Sequence, residues 1–348
     1  MRILIIKLSA IGDVVHSLPV LSALKRLVPN SSIHWLVEEA AAGLLQDHPL
    51  LDRVLVCRRK SWISGLKQGR ISALREFRDF FRLVRAERYD LILDLQNLFK
   101  SAFWVAVARS SRKIGFSSTK ELAYLPLNEK IGPEDFTLHA VDRYLEFVRY
   151  LGNYDEQLHF PVPVTPIHVE RVDQRLKEVG LNSRRVVAVH PMALWPTKLW
   201  KSQSFSELAD RLAKELGLGV VFTGGEQDWA SVEEITARVS PSLVNFCGRL
   251  DLLELAALFK RCALVISTDT GPMHLAAAMG TPVVALFGPT APARTGPYGP
   301  GHVVVRTGIP CSPCFKKRCM DPKCMYEITP DLVFQAVEKR LNLSFLKE

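Results

Sequence analysis

Residues 264–287 have the sequence LVISTDTGPMHLAAAMGTPVVALF, and this stretch decides the fold. The apolar run 264–267 predicts a buried strand, and the run 282–287 predicts a second one. Between them, a turn that contains Asp269 and Thr270 leads into a helix near Gly271. A strand, a helix and a strand in this order predict one unit of a parallel sheet that is covered by helices.

The same alternation extends from this stretch in both directions. The second half of the chain also carries predicted strands at 186–189 and 220–223, with helices that begin near Ser204, Trp229 and Leu252. In the first half, the predicted strands are 2–8, 33–37, 54–56 and 91–95, and the first is followed by an apolar helical stripe from Val14 to Leu27.

Three prolines in the segment 160–166 predict a stiff connector between the two halves. The expected fold class is therefore α/β, with two Rossmann-like, doubly wound parallel-sheet domains, residues 1–163 and 164–348, that face a cleft. Ligands of such sheets bind beyond the carboxyl ends of the strands, so the loops that follow the predicted strands are the candidate sites.

Composition excludes several classes of protein. The 348 residues are 48% hydrophobic, which excludes a disordered or fibrous chain, and seven cysteines are too few for a disulfide scaffold. No uncharged stretch is typical of a transmembrane helix, and the first residues lack the features of a signal peptide. These observations predict a cytoplasmic protein.

Positive charge is concentrated in residues 53–88. The net charge of the chain is +9, and this segment alone has eleven Lys and Arg against three acidic residues. Such a patch indicates an anionic partner: nucleic acid, a phospholipid headgroup or a phosphorylated substrate. Within it, a predicted helix carries Leu74, Phe77, Phe81 and Val84 on one stripe beside arginines, which fits either a membrane surface or packing on the core. A solvated helix face is the alternative for the whole patch.

Two loops of the second half could bind an anion. Asp269 or Thr270 could cap the helix that begins near Gly271, and the free amides of its first turn would attract a phosphate. The alternative is an ordinary capped helix that binds no ligand. Thr197 and Lys198 follow another predicted strand and could donate to a phosphate. Taken alone, Lys198 could equally be a surface lysine.

Asp13 is the candidate general base of the first half. It lies in the loop after the first predicted strand, where a carboxylate could remove a proton from a nucleophilic hydroxyl. The alternative is that Asp13 only caps a helix that starts at Val14.

Four cysteines lie within fourteen residues, at Cys311, Cys314, Cys319 and Cys324. Four thiols suit zinc or an iron–sulfur cluster, but the paired CxxC spacing of zinc ribbons is missing, so a stapled or reduced loop is the alternative. Other motifs are absent: GxGxxG after the first strand, GxxxxGK[ST], GxSxG and a DxD pair at a strand end. Their absence argues against nicotinamide enzymes, P-loop nucleotidases, esterases and metal-dependent sugar transfer.

Several motifs together resemble the lipopolysaccharide heptosyltransferases of glycosyltransferase family 9. They are KLSAIGDVVHSLP at 7–19, DLQNLFKSA at 94–102, HAVDR at 139–143, KLW at 198–200 and STDTGPMHL at 267–275. The resemblance implies a GT-B fold whose last helix packs back on the N-terminal domain. It also implies ADP-heptose as donor in the C-terminal domain and the Kdo–lipid A inner core as acceptor on the N-terminal domain. The implied reaction inverts the anomeric centre without a metal or any cofactor besides the donor substrate.

The resemblance also assigns roles to residues. Asp13 would be the catalytic base. Donor and phosphate binding would fall to Thr197, Lys198, Glu226, Asp269, Thr270, Gly271 and His274. The expected acceptor-binding residues are Ser9, Gly12, Arg58, Arg59, Lys60 and Lys100.

Within the family, the first motifs and the Arg58–Lys60 run are most similar to heptosyltransferase I, whereas the cysteine cluster is similar to heptosyltransferase II. A transferase that adds a later core sugar is therefore an alternative. A non-catalytic basic protein that binds membrane or nucleic acid is a second one. Nucleic acid is disfavoured because the basic segment does not form a nucleic-acid platform with interleaved aromatic residues on a sheet face. The expected location is peripheral, on the anionic inner face of the inner membrane.

Overall fold

The computed structural model describes residues 1–118, 121–153, 157–237 and 243–341. The chain divides into two compact units, Met1–Pro163 and a second unit that begins at Val164. Each unit has its own sheet, and every pair of neighbouring strands in both sheets is parallel.

The first unit alternates strands and helices. Its elements in chain order are β1 (Arg2–Ile6), α1 (Ile11–Leu27), β2 (Ser32–Glu38), α2 (Glu39–Ala42), β3 (Arg53–Cys57), α3 (Arg59–Lys67), α4 (Ile71–Ala86), β4 (Arg88–Asp94), α5 (Phe99–Val107), β5 (Arg109–Phe116), β6 (Glu129–Ile131) and α6 (Ala140–Leu151). The strands lie in the order β3-β2-β1-β4-β5-β6, which is the order of a doubly wound dinucleotide-binding fold.

The second unit repeats this plan. Its elements are α7 (Pro166–Glu178), β7 (Val186–His190), α8 (Ser202–Lys214), β8 (Gly219–Phe222), α9 (Trp229–Thr236), β9 (Leu243–Asn245), α10 (Leu252–Arg261), β10 (Leu264–Thr268), α11 (Gly271–Ala278), β11 (Val283–Leu286), α12 (Pro292–Thr295), β12 (Val303–Val305), α13 (Lys323–Tyr326) and α14 (Pro330–Leu341). The strand order is β12-β11-β10-β7-β8-β9, and the prediction of two doubly wound parallel sheets is confirmed.

The strands that the sequence predicted are the most apolar ones. β1 and β7 are buried almost throughout, since helices cover both faces of each sheet. The sequence missed β5, β6, β9 and β12. The last three are three-residue strands with a single neighbour each, too short to give a strand pattern even where they are apolar, as β12 is, and β5 begins with the polar residues RSSRK.

Helix α4 decides between two interpretations of the apolar stripe. Val84 is buried, the ring of Phe77 packs with Trp62 and Trp104 at the edge of the core, and the ring of Phe81 packs with Phe77. Core packing is therefore confirmed for this part of the stripe. Leu74 is 54% exposed and does not join it. None of the helices in the described residues has the length and apolar character needed to cross a membrane.

The last described helix, α14, packs on its own unit. Val333, Phe334 and Val337 belong to the core that also contains β7, β8 and α8 residues. Additional packing on the first unit stays a prediction.

The two sheets share a feature that positions the candidate residues. In each, the chain reverses its direction of winding between two central strands, β1 and β4 in the first sheet and β7 and β10 in the second. Loops at the carboxyl ends of such strands diverge to opposite faces and leave a crevice for a ligand.

Candidate active-site loops

The loop after β10 forms the amino end of α11. Thr270 is the N-cap residue, with extended backbone and no side-chain capping hydrogen bond, and Gly271 begins the helix. Asp269 is therefore not the cap. The first turn contains no acidic residue, so its amides and the positive end of the helix dipole form a site for an anion.

Lys198 and Asp269 form an ion pair at this helix end. Lys198 Nζ lies 2.6 Å from Asp269 Oδ2 and donates to the Asp269 main-chain oxygen at 3.2 Å. Thr290 Oγ1 donates to the same Oδ2 at 2.6 Å, and Asp269 is buried. Because β7 and β10 are neighbours, their loops meet, and Lys198 is not an ordinary surface lysine.

The loop that carries Lys198 is held by further contacts. Lys198 Nζ lies 4.7 Å from the centroid of the Trp195 ring. Thr197 is buried, and its hydroxyl donates to the main-chain oxygen of Lys316 at 2.8 Å. The structure thus brings Thr197, Lys198 and Asp269 together at the carboxyl edge of the second sheet.

Two other predicted donor residues flank this cluster. His274 is buried within α11. Glu226 is exposed at the start of a short 3-10 helix, Glu226–Asp228, that follows β8, the other neighbour of β7. Gly248 has φ of +69°, and a Cβ there would lie 2.9 Å from Glu226 Cα, so this close approach requires glycine.

His190 ends β7 directly before the Lys198 loop. It is buried, and its Nδ1 lies 3.0 Å from Thr223 Oγ1. Burial lowers the pKa of His190 to about 4, because the charged imidazolium loses its hydration. The ring is therefore neutral at pH 7 and contributes no charge to the anion site.

In the first unit, Asp13 lies in the first turn of α1 rather than at its cap. Ala10 is the N-cap, since Val14 N donates to the Ala10 oxygen at 3.0 Å. Asp13 Oδ2 accepts from Ala10 N at 2.9 Å. The interpretation of Asp13 as N-cap of a helix from Val14 is wrong, because the helix already begins at Ile11.

A buried lysine and a tyrosine lie beside Asp13. Lys7 Nζ donates to Tyr144 Oη at 2.6 Å and to the Leu95 oxygen at 2.9 Å, and Tyr144 Oη donates to Asp13 Oδ1 at 3.5 Å. Burial lowers the pKa of Lys7, and the nearby charge of Asp13 opposes that shift. Neither residue was predicted from the sequence. A lysine inside the apolar run 2–8, and a tyrosine directly after the 139–143 motif, were the available signals.

Several predicted acceptor residues meet at Glu38, the last residue of β2. Arg59 Nε donates to Glu38 Oε1 at 2.8 Å, and Lys100 Nζ lies 3.4 Å from the same oxygen. Lys100 also donates to Ser9 Oγ, and burial lowers its pKa. Glu38 therefore links Ser9, Lys100 and Arg59, although no motif marked it.

The other acceptor candidates lie around this network. Gly12 is buried in the first turn of α1. Arg58 is exposed, and its Nε lies 3.6 Å from Glu39 Oε1. Lys60 lines a cavity of about 450 Å³ between α3 and α4, whose wall also includes Arg70, Glu76 and several serines.

Asp94 ends β4 and shapes the loop that leads to Lys100. It accepts from Ser101 Oγ at 2.9 Å, from Gln96 N at 3.0 Å and from Asn97 N at 3.2 Å. Burial raises the pKa of Asp94 to about 6 in spite of these donors. Gln96 Oε1 in turn accepts from Ser9 N at 2.9 Å and joins the β4 loop to the β1 loop.

The four cysteines of the cluster, Cys311, Cys314, Cys319 and Cys324, are free thiols in the structure. Over residues 1–118, 121–153, 157–237 and 243–341, no group of three or more His, Cys, Asp or Glu side chains is arranged to hold a metal ion. The loop is instead fastened by its backbone: Cys314 N and Phe315 N donate to the Pro289 oxygen at 3.0 and 2.8 Å.

Comparisons with known proteins agree with this geometry. Residues 77–325 match the model of glycosyltransferase family 9 (heptosyltransferase). The chain is 32% identical to lipopolysaccharide heptosyltransferase 1 of Pseudomonas aeruginosa, over 92% of this chain and 87% of that protein.

Solved structures give the same fold. A family 9 glycosyltransferase from Veillonella parvula superposes with a TM-score of 0.84 at 25% identity, over 99% of this chain and 98% of that one. Escherichia coli heptosyltransferase WaaC with ADP gives a TM-score of 0.80 at 24% identity, over 98% of this chain and 100% of that one. The GT-B fold class is thereby confirmed.

Proposed function

The chain belongs to glycosyltransferase family 9, the heptosyltransferase family, and on this premise we propose that it acts as heptosyltransferase I. It moves L-glycero-D-manno-heptose from ADP-heptose to the Kdo–lipid A inner core of lipopolysaccharide. The observation that carries the proposal is the Lys198–Asp269 pair at the open amino end of α11, which suits a sugar nucleotide diphosphate. The donor therefore binds the second unit, and the acceptor binds the first.

The proposed reaction is a single displacement. Asp13 takes the proton of an acceptor hydroxyl while that oxygen attacks the anomeric carbon of the heptose. The bond between this carbon and the β-phosphate oxygen breaks, and ADP leaves with the electron pair. Attack opposite to the leaving group inverts the anomeric centre, as in inverting glycosidases with water as nucleophile.

The protein supplies the positive charge that stabilises the departing, negatively charged diphosphate. Lys198 and the first amides of α11 are held in place before the reaction, by Asp269 and by the helix itself. Each donor of this kind contributes about 3 kcal/mol to stabilising a developing negative charge. We propose that these groups take part of the role that a metal ion has in other sugar transferases, and that the reaction runs without metal or cofactor.

Donor binding involves the remaining candidates as well. We assign Thr197, Thr270 and Gly271 to the diphosphate, and we assign His274, which is buried in α11, to the support of the turn. We assign Asp269 to the heptose hydroxyls through its second carboxylate oxygen, since Oδ2 is already engaged by Lys198 and Thr290. Glu226 follows β8, the strand beside β7, and we assign it to the nucleoside part of the donor.

The acceptor carries carboxylates and phosphates, and the first unit has matching cations. Ser9 and Gly12 lie close to Asp13 in the chain, Lys100 donates to Ser9, and Lys100 and Arg59 both contact Glu38. Arg58 and Lys60 continue this basic surface to the cavity between α3 and α4. We propose that Kdo carboxylates bind near Lys100 and that a lipid A phosphate binds near Lys60.

We further propose that the enzyme works at the cytoplasmic, anionic face of the inner membrane. Helix α4 exposes Ile71 and Leu74 beside Arg75, Arg78 and Arg82, a combination that favours shallow insertion among acidic lipids. Sedimentation with vesicles tests this. Binding should require acidic lipid and should weaken in Leu74→Glu, whereas Leu332→Glu, at a similarly exposed site of the second unit, should bind as wild type.

The proposed activity is tested by ADP release. The enzyme is incubated with ADP-heptose and Kdo2-lipid A, with reactions lacking the acceptor as control. Release that depends on the acceptor supports the proposal, and release equal to background hydrolysis contradicts it. A panel with an acceptor that already carries one heptose distinguishes heptosyltransferase I from heptosyltransferase II. Other ADP- and UDP-sugars test for a different donor.

A further inference from the structure

The charge at the proposed donor site is incomplete without a second cation. Lys198 is paired with Asp269 at 2.6 Å, so this pair has no net charge before the donor arrives. A nucleoside diphosphate brings at least two negative charges. The helix dipole of α11 adds about half a positive charge, which leaves the diphosphate under-compensated.

Lys317 is a second cation beside the loop that carries Lys198. Its Nζ is 5.2 Å from the centroid of the Trp195 ring, the same ring that Lys198 Nζ approaches at 4.7 Å. Within the part of the chain that the structure describes, Lys317 forms no ion pair, unlike Lys198. Its charge is therefore available to a ligand.

Hydrogen bonds to main-chain oxygens join the segment that carries Lys317 to the turns of the proposed donor site. The segment 311–324, here called the cysteine strap, is fastened to the buried Thr197 through the Lys316 oxygen at 2.8 Å. It is also fastened to the turn after β11, where Ser312 Oγ donates to the Gly288 oxygen at 2.5 Å and Phe315 N donates to the Pro289 oxygen at 2.8 Å. The next residue of that turn, Thr290, binds Asp269.

We infer that Lys317 binds the diphosphate of the donor together with Lys198, and that the cysteine strap carries this residue into the site. The inference rests on the proposed function, and it adds a donor-binding residue that lies outside every strand-end motif. The two ammonium groups lie near the same indole ring, whose electron-rich π-system attracts both cations. An arriving diphosphate then replaces the ring as the partner of Lys317.

The test compares ADP with adenosine, because only ADP carries the phosphates. In Lys317→Ala, the Kd for ADP should rise about tenfold, as expected for one partly exposed charged contact. The Kd for adenosine, measured by competition, should stay within twofold of wild type. Lys317→Arg should recover most of the ADP affinity.

Lys316→Ala is the matched control, since it removes the neighbouring charge of the strap and keeps the main-chain oxygen that Thr197 binds. Its ADP affinity should equal that of wild type. Unchanged ADP affinity in Lys317→Ala, or an equal loss for ADP and adenosine, would overturn the inference and leave the proposed function standing. Wild-type protein that binds no ADP would overturn both.

Discussion

The central loops of the two units carry the same kinds of charge in exchanged positions. In the first unit the acid, Asp13, follows the first strand and the cation, Lys100, follows the fourth strand. In the second unit the cation, Lys198, follows the first strand and the acid, Asp269, follows the fourth. Lys198 and Asp269 form an ion pair with each other at 2.6 Å. Lys100 is instead paired with Glu38, and Asp13 forms no ion pair among the described residues.

This difference separates two chemical tasks. A general base must keep a carboxylate oxygen for an incoming proton, and Asp13 Oδ1 has only a long contact of 3.5 Å from Tyr144. A binding lysine must instead be oriented before the ligand arrives, and Asp269 does this for Lys198. The same architecture therefore places an available acid in one unit and a fixed cation in the other.

The largest effect is expected from Asp13→Asn. The amide cannot accept the proton, so kcat should fall about a thousandfold or more, within the range for loss of a general base. The Kd for ADP, measured by calorimetry, should not change, because the donor binds the other unit. Asp79→Asn, at an exposed carboxylate on α4, is the control. Near-normal kcat in Asp13→Asn would refute the assignment of the base.

Lys198→Met should have the next largest effect. Loss of the oriented ammonium should lower kcat/KM about a hundredfold, as for one preorganised donor at a developing charge. It should also weaken ADP binding, which Asp13→Asn does not. Lys201→Met is the control, because Lys201 also lies over an aromatic ring, at 5.0 Å from the Tyr326 centroid. If both variants weaken ADP binding equally, Lys198 has no special role.

Tyr144→Phe tests the support of Asp13. The ring stays, but Lys7 Nζ loses its buried hydrogen bond to Tyr144 Oη, which is 2.6 Å long. A buried charged group without one partner costs about 2 kcal/mol, so the midpoint of thermal unfolding should fall by several degrees. We expect kcat to fall about fivefold, since Asp13 loses a positioning contact. Tyr326→Phe, at an exposed ring, should change neither quantity.

These differences between the units were only partly visible in the sequence. The strand-end positions of Asp13, Lys198 and Asp269 follow from apolar runs and turn residues, which act locally. The pairing of Lys198 with Asp269 could be expected once both loops were placed at one sheet edge. The contacts of Lys7 with Tyr144, and of Lys317 with Trp195, join residues more than a hundred positions apart. A local sequence pattern does not predict contacts between residues so far apart in the chain.

The smallest effect concerns pH, and here the units should respond in opposite directions. Burial lowers the pKa of His190 to about 4, so below pH 6.5 the unfolded chain binds a proton that the folded second unit excludes. Its stability should fall by about 2 kcal/mol between pH 7 and pH 5. Burial raises the pKa of Asp94 to about 6, so the folded first unit binds a proton before the unfolded chain does. Its stability should rise by about 1 kcal/mol over the same range.

Both residues end a central strand of their sheet, so the opposite signs come from their chemistry. Burial disfavours the charged form, which is the protonated state of an imidazole and the deprotonated state of a carboxyl group. Thermal unfolding at pH 7 and pH 5 checks this. His190→Asn should lose less stability on acidification than wild type, and Asp94→Asn should lose more. Identical pH dependence in wild type and both variants would mean that neither group titrates as its burial requires.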